Sequence, residues 1–115
     1  MDGTLIDSQE FIVSAFEYTL AKHGLTVPTR AEIIKQIGRP LDIDYKNITG
    51  LSDTTDLCAT HREFQNNKQD LLKAFPNVAE TLKELKNRGI KIVIATNRSK
   101  ITSLASLEST GVGMY

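Results

Sequence analysis

Several things are scarce in this sequence, and each scarcity excludes something. The single cysteine, Cys58, rules out an internal disulfide. That usage fits a reducing, cytoplasmic setting, and on a helix the thiol reads as a packed group rather than a reactive one. Net charge is absent: 14 Lys and Arg stand against 14 Asp and Glu. The balance gives no electrostatic case for nucleic acid or for an anionic membrane surface as partner. The longest apolar run, residues 92–95, falls far short of the roughly 20 residues that cross a bilayer. No basic segment leads into an apolar one, so no secretory signal is visible. No glycine-rich phosphate loop follows a strand, which argues against an unrelated nucleotide-binding α/β domain. Repeats, low-complexity runs and linkers are also missing. What is there is 115 residues, 40% of them hydrophobic. That is enough for one small globular domain and not comfortably for two.

Taken in order, residues 9–23 read as a helix on the recurrence of Ile12, Phe16 and Leu20, widened by Phe11, Ala15 and Tyr18. Gly24 stops it, with His23 in the last turn near the negative end of the helix dipole. Thr29 and Glu32 have the spacing of a capping box, and a short helix follows through Ile33, Ile34 and Ile37. Gly38 ends it and Pro40 prevents its continuation. Asp42, Asp44 and Tyr45 belong to a second short turn or helix. The two aspartates lack a third ligand and read as a solvated face. Residues 53–73 read as one long polar helix, with His61 at its surface. Asn77 and Glu80 have the spacing of another cap and open a helix carrying Val78, Leu82 and Leu85, closed by Gly89. The β-branched run of residues 90–95 has the composition of a parallel strand covered on both faces. A last helix is expected over 99–110, and residues 112–115 resemble the start of another strand. Two α/β pieces thus flank a helical block, which predicts an α/β fold: a parallel-sheet core with an inserted helical cap.

Two sites carry chemistry. Asp2-Gly3-Thr4 places a carboxylate, a flexible glycine and a hydroxyl together, followed by the N-cap candidates Asp7 and Ser8. That layout suits phosphate or metal chemistry, although three such residues alone also describe an ordinary loop. Thr96-Asn97 lies at the carboxyl end of the expected strand, where open α/β sheets bind ligands. A hydroxyl and free amides before a helix make a phosphate cradle there, or plain caps.

The longer string Asp2-Gly3-Thr4-Leu5-Ile6-Asp7-Ser8 resembles the first motif of the haloacid dehalogenase-like hydrolases, in their phosphoglycolate phosphatase and β-phosphoglucomutase-like branch. Ile92-Val93-Ile94-Ala95-Thr96-Asn97 resembles their second motif. Phe75-Pro76-Asn77-Val78 resembles the turn from cap to core, where Pro-Gly is frequent, and Ile37-Gly38-Arg39-Pro40-Leu41 resembles the cap loop. The resemblance implies a partial Rossmann-like core over residues 1–10 and 75–115, with 11–74 as helical cap. It implies a Mg²⁺-dependent phosphatase acting on a small phosphorylated metabolite through an aspartyl-phosphate. Asp2 would be the general acid/base and would lend its backbone carbonyl to Mg²⁺. Thr96 and Asn97 would bind phosphate, and Arg39 would approach the substrate from the cap. In this pattern the nucleophilic Asp stands two residues before the acid/base, hence before Met1. The motif lysine and the acidic metal pair lie beyond the second motif. Residues 1–115 alone are therefore expected to be inactive. A non-catalytic binding or interaction protein with the same fold is the alternative.

Overall fold

The computed structural model describes residues 1–115. The chain divides into two compact units, Met1–Gln9 with Gln69–Tyr115, and Glu10–Lys68. Residues 69–74, expected with the helical block, group instead with the two chain ends.

The Glu10–Lys68 unit is helical. Helix α1 (Gln9–Lys22) buries Phe11, Val13, Ala15, Phe16, Thr19 and Leu20; of the expected stripe, Ile12 is half-buried and Tyr18 is exposed. Helix α2 (Arg30–Gln36) starts from Thr29, whose hydroxyl accepts from the Glu32 amide while the Glu32 carboxylate accepts from the Thr29 amide. Helix α3 (Leu41–Thr49) ends at Gly50, in the left-handed region at φ 74°. Helix α4 (Thr55–Asn67) completes the unit. The core joins Val13, Phe16, Leu20, Ile33, Tyr45, Leu57 and Cys58. Each such apolar side chain contributes about 1.5–3 kcal/mol by leaving water. Across α1 and α2, the exposed Arg30 guanidinium grips both Glu10 and Glu17, with contacts of 2.7–2.9 Å.

The other unit opens on a tight turn. The Met1 carbonyl accepts from the amides of Thr4, Leu5 and Ile6, while Gly3, at φ 70°, donates to the Ile6 carbonyl. Strand β1 (Ile6–Asp7) pairs antiparallel with β2 (Lys73–Ala74), Ile6 against Ala74. Helix α5 (Val78–Asn87) and helix α6 (Lys100–Ser109) follow. Ile6, Leu72, Leu82, Leu107 and Val112 are buried.

Several expectations are corrected. The parallel strand over residues 91–95 does not form; the only sheet is β1–β2. A β-branched run becomes a strand only when neighbours accept and donate along both edges. Here no segment pairs with it, and Val93 is 88% exposed. Residues 112–115 form a turn rather than a strand. The long helix expected over 53–73 stops at Asn67 and gives way to a 3₁₀ turn, Gln69–Leu71, and β2. His61 is buried, not surface: its Nδ1 lies 2.8 Å from the Tyr45 hydroxyl. Asp44 is buried too, because its carboxylate turns back to accept from the Gly38 amide at 3.0 Å. Asn77 caps α5 through its backbone, at φ 65°, with no side-chain cap bond. It holds a left-handed position that asparagine tolerates and glycine suits better.

Candidate active site

The turn that carries Asp2 closes on three amides converging on the Met1 carbonyl, and the Phe75 amide donates to the Leu5 carbonyl from outside it. Its Gly3 has no Cβ to oppose the positive φ. Asp7, expected as a cap, does that work while lying in β1: its Oδ1 accepts from the Gln9 amide at 3.3 Å. Asp2 is part-buried. Its Oδ2 lies 2.9 Å from Nε of Arg98, and its Oδ1 is enclosed with no hydrogen-bond partner.

Arg98 comes from the loop just before α6. Its backbone amide donates to the Thr96 hydroxyl at 3.2 Å, a local turn that a threonine two residues upstream makes readily. Ser99 then caps the helix, accepting from the Thr102 amide. The Arg98 side chain is 15% exposed. Its Nη1 donates to the Ser106 hydroxyl, which itself donates to the Thr102 carbonyl. Burial lowers the pKa of this guanidinium, and the Asp2 carboxylate works against that shift. A cation this withdrawn from water needs its partner.

The structure therefore brings Asp2 to Arg98 and ties Arg98 to Thr96. Thr96 and Asn97 are both exposed. Arg39 is exposed on the loop between α2 and α3 of the helical unit. Arg98 is the site residue that sequence reasoning missed; its signal was a basic residue directly after Thr96-Asn97 and before a capping serine.

The donor set for Mg²⁺ can be weighed directly. Mg²⁺ takes an octahedron of oxygens, usually one or two carboxylates with waters and substrate phosphates. No three His, Cys, Asp or Glu side chains gather anywhere in the chain, and Asp2 has its Oδ2 on a guanidinium. These residues do not fit a Mg²⁺ site by themselves; the Asp2 carbonyl is the one ligand the motif would lend.

A carboxylate on a glycine turn, paired to an arginine on a Thr-Asn loop before a helix, defines a candidate site for phosphoryl chemistry. The family model for haloacid dehalogenase-like hydrolases matches residues 1–115. The chain belongs to that family. It is similar to the pyrophosphatase PpaX of Oceanobacillus iheyensis, with 34% identity over 116 residues, 100% of this chain and 53% of that protein. PpaX of Bacillus pumilus shows 34% identity over 113 residues, 97% and 52% of the two chains. Among solved structures, a predicted phosphatase from Clostridium acetobutylicum superposes with a TM-score of 0.86 at 26% identity, over 100% of this chain and 55% of that one. The chain thus spans about half the length of the curated relatives it matches.

Proposed function

We propose that this chain supplies the acid/base and phosphate-binding parts of a Mg²⁺-dependent phosphatase that works through an aspartyl-phosphate. The observation that carries the proposal is the Asp2 carboxylate, part-buried and gripped by Arg98 on the Thr96-Asn97 loop. A carboxylate nucleophile splits one difficult displacement into two easier ones. A second carboxylate then protonates the leaving oxygen and later takes a proton from water, worth about 10²–10⁴-fold in rate. Asp2 is assigned that second role, Thr96 and Asn97 the phosphate, and Arg39 the substrate side of the helical unit, read as a cap over residues 11–74. The core on this reading is 1–10 with 75–115. A small phosphomonoester is the leading substrate class. Inorganic pyrophosphate is the second reading, favoured by the similarity to PpaX proteins.

No carboxylate within residues 1–115 takes the nucleophile's place on this reading, since Asp7 is committed to β1 and the Gln9 amide. Turnover then belongs to a longer chain, one with a strand ending in Asp two residues before Asp2 and an acidic pair after the second motif. The test is phosphate release from a panel of phosphomonoesters and pyrophosphate, with and without Mg²⁺. Residues 1–115 should release none and the extended chain should be active. In the extended chain Asp2→Asn should lower turnover by about 2–4 orders of magnitude, and Thr96→Val should lower it as well. Turnover by residues 1–115, or none by the extended chain, defeats the reading.

A further inference from the structure

Arg98 has no role in the assignment above, yet it is the cation on which the site is built. We infer that Arg98 is the anion-binding residue of this site and that Asp2 occupies its guanidinium in the free protein. A phosphate group then binds by displacing the Asp2 carboxylate. The inference rests on the phosphatase reading only for the identity of the anion.

Three observations carry it. The guanidinium is anchored from behind: Nη1 is held by the Ser106 hydroxyl, whose own proton goes to the Thr102 carbonyl, so the serine presents a lone pair to Arg98. Its backbone is fixed by the Thr96 hydroxyl. The Nε edge faces Asp2, at 2.9 Å. That edge of an arginine suits the oxygens of a phosphate as well as those of a carboxylate. The hold on Asp2 is one-sided, because Oδ1 has no donor. The dianion is the stronger competitor for a single cation. The buried arginine keeps an anionic partner in both states, as its desolvation demands.

Competition has a signature that simple repulsion lacks. When a binding-competent form is only fractionally populated, apparent affinity falls by that fraction, and a mutation that frees the site restores it. Asp2→Asn removes the internal competitor and should tighten inorganic phosphate several-fold. Arg98→Gln should weaken it by about 10–100-fold, the range for losing a charge-assisted hydrogen bond. In the double variant the gain from Asp2→Asn should vanish, since no guanidinium remains to be freed.

The experiment titrates residues 1–115 with inorganic phosphate by calorimetry and follows the Arg98 Nε–H resonance by ¹H–¹⁵N NMR. The expected result is a saturable shift of that resonance in the wild-type chain together with the non-additive cycle. Where Arg98→Gln does not fold, the wild-type resonance and Arg98→Lys decide, the lysine variant keeping the charge but weakening phosphate through loss of the planar fork. An Nε–H signal unmoved by saturating phosphate overturns the inference. So does an absence of phosphate binding, or an Asp2→Asn gain that persists in full without Arg98. No turnover is needed, so an inactive extended chain would defeat the phosphatase reading and leave this result standing.

Discussion

Replacing Tyr45 by Phe removes a single oxygen from the centre of the helical unit, and the structure fixes what that oxygen does. Tyr45 is 0% exposed and His61 2% exposed. The ring packs on Phe16, centroids 4.7 Å apart, and meets His61 edge-on at 5.6 Å. Phenylalanine preserves those contacts, so no cavity opens and the packing contribution is unchanged. The variant loses the 2.8 Å hydroxyl contact and leaves His61 Nδ1 facing an apolar ring. A buried polar atom stripped of its partner costs about 1–3 kcal/mol, whereas removing both partners approaches neutrality. Tyr45→Phe should therefore destabilise the unit by about 1–3 kcal/mol. Adding His61→Leu should cost much less than it does alone, giving a coupling of about 1–2 kcal/mol. With two compact units in the chain, a single unfolding midpoint is not the right measure. Amide hydrogen exchange of the most protected positions in α3 and α4 reads this unit by itself. A second arm uses pH. Burial raises the Tyr45 pKa above its ordinary value of 10.0. The folded state thus holds the phenolic proton more tightly than the unfolded chain. That contribution is fully present below about pH 10 and is lost as pH rises beyond it. Tyr45→Phe should flatten the alkaline loss of protection. A cost below about 0.5 kcal/mol, or strict additivity with His61→Leu, would refute the reasoning.

Burial also raises the pKa of Asp44, against the pull of the Gly38 and Arg39 amides. The stabilisation tied to its protonated form is present in acid and lost as pH rises, so Asp44→Asn should hold or raise stability at pH 7. Asp44→Ala should cost about 1 kcal/mol, one net hydrogen bond to Gly38; both are read by hydrogen exchange, and equal effects would contradict the geometry. The Arg30 guanidinium, with help from the Ser14 hydroxyl, holds the Glu10 carboxyl down at about 2. Its contribution is present above the ordinary range and disappears as pH falls through about 2. Arg30→Gln should return the Glu10 carboxyl ¹³C titration to the usual range near 4.5, and an unchanged titration would rule the clamp out. At Asn77, φ 65° penalises branched side chains. Asn77→Val should cost about 1–2 kcal/mol and Asn77→Gly almost nothing, as amide hydrogen exchange of the protected positions in α5 would show for the two variants.

What the sequence determined by itself is local. The Thr29–Glu32 capping box, the apolar stripe of α1 and the αL position at Gly24 all arise from residues within one or two turns of each other. Their patterns are set locally, although the stripe of α1 gains its stabilisation only by packing on Ile33, Tyr45, Leu57 and Cys58. The hydrogen bonds within the turn around Asp2 join residues 1–6, and the family resemblance was legible in that same short string. Tertiary structure alone decided what depends on distant partners. A β-branched run over 91–95 states a preference for extended backbone, but a strand is a property of its neighbours, and within these residues it has none. His61 reads as polar until Tyr45 offers it a hydroxyl in the dark of the core. Asp44 reads as solvated until the α2–α3 loop folds its Gly38 amide onto the carboxylate. Asp2 and Arg98 stand at opposite ends of the sequence, and no spacing rule joins them. Only the packing of α6 in the unit that also holds the first turn makes one a buried cation and the other its counter-charge.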